Sequence, residues 1–321
     1  YLTAYEYYEQ ALKSAKEIGE IAQQMNIYCN IGSIQQIWGN ARSAIEQHTT
    51  ALNISLELND CNTAVEIRRN LGLDLALQGK YTEALAEFIQ ATTISAKLGD
   101  SRMQAYVKAN LGSLYHNLGQ REQADKNINE ALDEARKVRD PEVILAAARA
   151  LVEFKLETGD LAGAEEHVNR LLGLAEKTQN KREMAYGFLN LSTLMMKKNE
   201  PAEMAQPLSD ALVLAQELKD KFLLGRIYLL FAQKALLSNN IKEAEDYLKD
   251  ALETANKIES PELLWQVDYH RSRLSLLKEN KLQAEKELES ARNIIKQMES
   301  ALPQDIRKGF IENTSRKLVF K

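Results

Sequence analysis

Apolar and small positions return along this chain at an interval of 40 residues. Ala44, Ala84, Ala124, Ala164, Ala244 and Ala284 share one phase, which opens at Ala4 and is broken only at Met204. Ala11, Ala51, Ala91, Ala131, Ala211, Ala251 and Ala291 share a second, with Leu171 as its exception. A third holds the modest side chains Gly32, Gly72, Gly112, Val152, Ser192, Ala232 and Ser272. Small residues of this kind let two helices approach closely. Between them stand Leu71, Tyr81, Leu85 and Phe88, spaced to line one helix face. Each period therefore predicts two antiparallel helices joined by a tight turn.

The polar punctuation keeps the same interval. Gly39, Gly79, Gly119 and Gly159, followed by Asn199 and Asn239, fall where a helix ends in left-handed backbone, which favours Gly and then Asn. Asp60, Asp100, Asp140, Asn180, Asp220, Ser260 and Ser300 read as N-caps of the next unit. Pro141 and Pro261 follow two of these caps at the first helical position, where proline is tolerated. Pro207, with Pro201 just before it, predicts a helix that starts late or bends.

The register gives seven hairpins, at 21–60, 61–100, 101–140, 141–180, 181–220, 221–260 and 261–300, preceded by a half unit at 1–20. Residues 301–321 leave the period and read as a C-terminal capping helix or a linker into a further domain. A repeat array is expected to carry a cap at each end. The half unit at the start thus predicts a fragment of a longer protein, or a face that something else covers, self-association included.

Leu71, Gly72, Leu75, Gly79, Tyr81, Ala84, Phe88 and Ala91 resemble the tetratricopeptide repeat (TPR) signature, and Leu111, Gly112, Tyr115, Gly119, Ala124 and Ala131 repeat it. The usual repeat is about 34 residues. The longer period here is similar to the long-helix variety of Pins-like polarity scaffolds and bacterial signalling proteins. The resemblance spans residues 1–300. It implies an all-α fold, a right-handed α-solenoid superhelix of antiparallel helix pairs.

Composition narrows the function. The chain has 321 residues, 45% of them hydrophobic and 27% charged, with a net charge of -5. That balance argues against nucleic acid as a partner. No apolar run reaches the roughly 20 residues of a membrane span, so no membrane partner is expected. Cys29 and Cys61 make neither a metal pattern nor a disulfide framework. With no secretory signal, they read as free thiols of a cytoplasmic protein. The sequence contains no phosphate loop, HExxH motif, zinc-spaced cysteine pair or nucleophile elbow. The expectation is a non-enzymatic protein with no cofactor and no metal. His48 falls in the phase of Phe88 and Leu248 and reads as a partly buried core histidine.

The resemblance implies that the first helix of each hairpin lines a concave groove. Its ligand-facing positions map onto Asn30, Asn70, Asn110 and Asn190, with Arg69, Arg149, Tyr106, Tyr186, Arg226 and Lys197 around them. An asparagine amide offers one acceptor and two donors, enough to pair with both sides of an extended peptide backbone. The arginines and the lysine suit acidic groups, and the tyrosines offer flat apolar contacts. The same amides can instead bond neighbouring helices or water. A few hairpins would span an extended peptide of roughly ten residues, at ~3.3 Å each. The expected function is a scaffold that binds a peptide segment of a protein partner. The alternative is the sensor region of a multidomain kinase, cyclase or transcription regulator.

Overall fold

The computed structural model describes residues 1–321, apart from the side chain of Thr314. The chain is all-α, a TPR-like solenoid of successive antiparallel helices. They are α1 (Leu2–Ile18), α2 (Ile21–Ile37), α3 (Ala41–Glu57), α4 (Cys61–Leu77), α5 (Tyr81–Leu98), α6 (Ser101–Asn117), α7 (Arg121–Val138), α8 (Pro141–Thr158) and α9 (Leu161–Lys177). There follow α10 (Lys181–Lys197), α11 (Ala205–Leu218), α12 (Lys221–Leu237), α13 (Ile241–Lys257), α14 (Pro261–Leu277), α15 (Lys281–Ser300), α16 (Gln304–Glu312) and α17 (Thr314–Lys317), with a last 3-10 turn at Leu318–Phe320.

The small phases are where the two helices of a hairpin meet. The glycines stand opposite bulky partners of the second helix. A Cβ on Gly72 would lie 2.6 Å from Phe88, one on Gly112 2.6 Å from Ile128, and one on Gly32 2.7 Å from His48. Where the phase carries Val152 instead, the facing residue shrinks to Val168, and both are fully buried. Apart from Ala4 and Ala11 of α1, the two alanine phases are buried throughout, Met204 and Leu171 included. Ala11 is exposed on α1.

Caps mark the borders between hairpins. The side chains of Asp60, Asp100, Asn180, Asp220 and Ser260 accept from the amide three residues on, and Asp140 from that of Glu142. Ser300 departs from the expected cap. It is the last residue of α15, and its hydroxyl donates to the Gln297 carbonyl, because this helix runs on and the tail starts after Pro303. Asp160, Asn240 and Asn280 cap the second helices of their hairpins in the same way. The Pro201–Pro207 stretch shortens α11, which opens at Ala205 and leaves Pro207 in its first turn, where no helical N–H is missed. His48 is fully buried, more than the sequence suggested, because Gly32 makes room for its ring.

The solenoid curls until its early hairpins touch its last ones. Gly39 packs on Ile258, Gly79 on Pro261, and Gly119 on the backbone of Gly309. Arg42 pairs with Glu259 at 2.8 Å, and the Tyr81 hydroxyl donates to Glu262 at 2.9 Å. One hydrophobic core therefore joins Met25, Leu71 and Phe88 of the early hairpins to Trp265, Ile295, Phe310 and Val319 of the last ones.

Candidate functional site

The curl encloses a cavity of about 720 Å³. Its wall is built mainly by the first helices of the hairpins, α4, α6, α8, α10, α12 and α14, because the small phases draw the second helices to the outside. Tail residues Asn313, Ser315 and Arg316 close it on one side. Ligand sites commonly occupy about 300–1,000 Å³, so the space suits one.

Arginines, carboxylates and aromatic rings alternate on the wall. Arg69 and Arg102 both lie over the Tyr106 ring, each 5.4 Å from its centre. Arg149 and Arg182 flank Tyr186 at 4.6 and 5.8 Å. Arg226 lies 6.0 Å from the Phe222 ring. These stacks fix the guanidinium planes and gain on the order of 0.5–2 kcal/mol each. Carboxylates neutralise most of them. Arg102 meets Asp140 at 2.9 Å, Arg149 meets Glu183 at 3.1 Å, Arg182 meets Asp220 at 3.3 Å, and Arg226 meets Glu153 at 3.1 Å. Arg316 meets Glu262 at 2.6 Å. Burial opposes the charge on Arg149, but Glu183 and Glu153 beside it win and hold its pKa up. Burial likewise opposes ionisation of Glu153, and Arg226 with Arg149 keeps its pKa below the usual carboxylate range.

Several wall nitrogens have no acceptor. They are Asn110 Nδ2, Asn190 Nδ2, Arg69 Nε, His116 Nδ1 and Arg316 Nε. The amides and guanidinium atoms among these are donors. A buried donor left unpaired costs roughly 1–3 kcal/mol, so the arrangement favours an occupant rich in acceptors. His116 packs edge-on to Phe154 at 5.5 Å. Burial pushes its pKa down, so the ring is neutral near pH 7.

The residues singled out from the sequence separate into two groups. Arg69, Tyr106, Asn110, Arg149, Tyr186, Asn190 and Arg226 come together on the cavity wall. Asn30, Asn70 and Lys197 do not. Asn30 and Lys197 are exposed outside it. Asn70 is buried between hairpins, its Nδ2 donating to Cys29 Sγ at 3.7 Å. Sequence reasoning missed Arg102, Arg182, Glu183 and Arg316. A signal for three of them was present, because "RMQAY" at 102–106 returns as "REMAY" at 182–186, two repeats later. Among the described residues, no cluster of His, Cys, Asp and Glu assembles a metal site, and no helix is long and apolar enough to cross a membrane.

Comparison with known proteins supports the TPR-like fold. Residues 98–320 match the family model described as the MalT-like TPR region. No curated protein matches the chain. Among solved structures, it is similar to the Rap conjugation gene regulator of the plasmid pLS20 in complex with the Phr* peptide. That match has a TM-score of 0.66 and 15% identity, covering 91% of this chain and 80% of that one. A Rap protein complexed with Competence and Sporulation Factor matches at a TM-score of 0.62 and 12% identity, over 99% and 97% of the two chains. A STAND protein with a tetratricopeptide repeat sensor from Pyrococcus horikoshii matches at 0.57 and 12% identity, over 99% of this chain and 50% of that one.

Proposed function

We propose that this chain, which belongs to the MalT-like TPR region family, is a non-catalytic interaction module that holds a peptide segment of a partner in its central cavity. The observation that carries this reading is the pair of unpartnered amides, Asn110 and Asn190, on the same wall. Both sit at one phase of the repeat, on α6 and α10. An extended peptide presents backbone carbonyls at intervals and can accept from both. The charge-balanced wall is consistent with a zwitterionic ligand. Two of the similar structures are described as complexes, one with the Phr* peptide and one with Competence and Sporulation Factor.

A second reading adds a context to the same site. The Pyrococcus horikoshii structure is described as having a tetratricopeptide repeat sensor, and this chain spans half of it. That supports a sensor region within a larger signalling protein, with the cavity as its input.

The test is retention of synthetic seven-residue peptides by the purified protein, read by gel filtration and mass spectrometry. Wild type retains a subset. Asn110→Ala with Asn190→Ala loses at least tenfold of that retention while its helicity and melting stay the same. Undiminished retention in the double variant, or none by wild type, overturns the reading.

A further inference from the structure

The cavity wall contains one motif twice, two hairpins apart. In the first copy Tyr106 of α6 lies between Arg102 of its own helix and Arg69 of α4. In the second, Tyr186 of α10 lies between Arg182 and Arg149 of α8. The register is strict, since the amides that follow the aromatic rings are Asn110 and Asn190. The helix starts also agree, with Met103 N–H capped by Asp100 and Glu183 N–H capped by Asn180.

The copies differ in their acids: Glu66, Asp100 and Glu142 stand where the second copy has Ala146, Asn180 and Phe222, and Met103 stands where it has Glu183. Glu183 takes Arg149 at 3.1 Å. Its counterpart in the first copy is Met103, which cannot pair. Among the described residues, Arg69 is accordingly the one cavity arginine with no carboxylate at ion-pair distance, and its Nε is buried with no acceptor. The nearby acids stay outside ion-pair distance. Glu66, one turn earlier on α4, is exposed and makes no ion pair with it, and Asp74 is held by His48 and Gln36. Burial pushes the Arg69 pKa down against the more distant pull of Glu66, and Arg182 adds a further positive charge. A desolvated, unpaired guanidinium stacked on a tyrosine is a prepared seat for a planar anion.

We infer that Arg69 is the anion-recognition point of the cavity, where a carboxylate of the bound peptide takes the place that Glu183 takes against Arg149. This rests on the peptide reading above and deepens it. The carboxylate has two sources, the peptide C-terminus or an Asp or Glu side chain.

Three seven-residue libraries separate the possibilities: amidated peptides free of acidic residues, the same sequences with a free C-terminus, and amidated peptides containing Asp or Glu. Wild type is expected to retain at least one carboxylate-bearing form tenfold or more over the neutral form, and the form preferred names the source. Arg69→Gln removes the preference while neutral peptides are still retained. Met103→Glu removes it as well, by supplying the internal partner that the second copy already folds around. That second variant decides the matter if Arg69→Gln does not fold. Equal retention of all three forms by wild type overturns the Arg69 assignment and leaves the peptide reading standing. A preference that survives in Met103→Glu overturns it too. No retention of any form overturns the peptide reading and this inference with it.

Discussion

At the scale of single residues, phase predicts environment well and partners poorly. His48 shares its phase with Phe88 and Ile128, and its burial follows from that. Its partner comes from the next hairpin, where Asp74 stands in the phase that carries Leu114 one repeat later, so nothing in the alternation announces the pair. Nδ1 of His48 lies 2.5 Å from Asp74 Oδ2, and Asp74 also accepts from Gln36. Burial alone would lower the histidine pKa, but the Asp74 hydrogen bond, helped by Cys29, raises it from 6.5 to about 9. For Asp74, burial pushes the carboxyl upward against the pull of His48, and the short contact favours imidazolium against carboxylate at neutral pH. A raised histidine pKa stabilises the fold fully below the unfolded value and is lost as pH rises through the folded one. Stability measured by urea unfolding is therefore expected to fall between pH 6.5 and about 9. Asp74→Leu alone leaves a buried imidazole unpaired and should cost about 3–5 kcal/mol. His48→Phe with Asp74→Leu copies the Phe88 and Leu114 of the next unit. It should be close to neutral, or more stable by about 1–4 kcal/mol, and free of that pH slope. A slope that persists in the double variant contradicts this assignment. The site was legible to the same degree. Asn110 and Arg69 reach the cavity as their phase implied, whereas Asn70 does not, because Cys29 from the preceding hairpin meets it first.

At the scale of elements, the repeat is finer than the alternation suggests. Every twentieth residue from Gly19 to Glu279 has positive φ, so the turns inside hairpins and those between them share one backbone geometry. The turns inside hairpins were the more legible, since Gly39, Gly79, Gly119 and Gly159, followed by Asn199 and Asn239, advertise them. The turns between hairpins carry Gly19, Asn59 and Gly99 but then Arg139, Gln179, Lys219 and Glu259, four residues that say nothing of left-handed backbone and bear its strain. Glycine at such a turn answers to two different demands. Gly159 has φ 85° with nothing near a prospective Cβ, so Gly159→Ala should cost only the left-handed penalty of about 1–2 kcal/mol. Gly119 has φ 75°, but a Cβ there would lie 2.0 Å from the Gly309 carbonyl oxygen. Gly119→Ala should cost more and should act at a distance, freeing α16 to proteolysis while α8 to α11 keep their protection. Equal loss of stability in the two variants would show that α16 does not rest on this turn.

At the scale of the whole molecule, the fold was legible as a stack but its closure was not. The 40-residue phases specify each hairpin and its neighbour, and say nothing of how far the stack curls before it meets itself. The tail residues that complete the closure lie outside the period altogether. Arg316 is the centre of that closure. It is 2% exposed, donates to the Asn117 carbonyl at 2.6 Å and to Glu262 at 2.6 Å, and lies 3.8 Å from the Phe310 ring centre. Asn313 adds a bond to the His116 carbonyl at 3.1 Å. One arginine thus ties α6, α14 and the tail together, across some 200 residues of sequence between Asn117 and itself. Because Asn313, Ser315 and Arg316 also wall the cavity, loosening the tie should open the site as well as the ring. Arg316→Met keeps a long apolar stem over Phe310 and removes the charge, leaving Glu262 with the Tyr81 hydroxyl and the Gln266 amide but no cation. Removing one partner of a buried ion pair costs about 3–5 kcal/mol. Glu262 is partly exposed, so the lower end applies, and the loss should be local because no hairpin packing is touched. The expected result is fast amide exchange across residues 303–320 and at the turns near 79 and 119, with exchange in α8 to α11 unchanged. A larger radius of gyration in solution scattering should accompany it. Tail exchange that stays at the wild-type rate would place the tie elsewhere, in the apolar contacts of Phe310 and Val319.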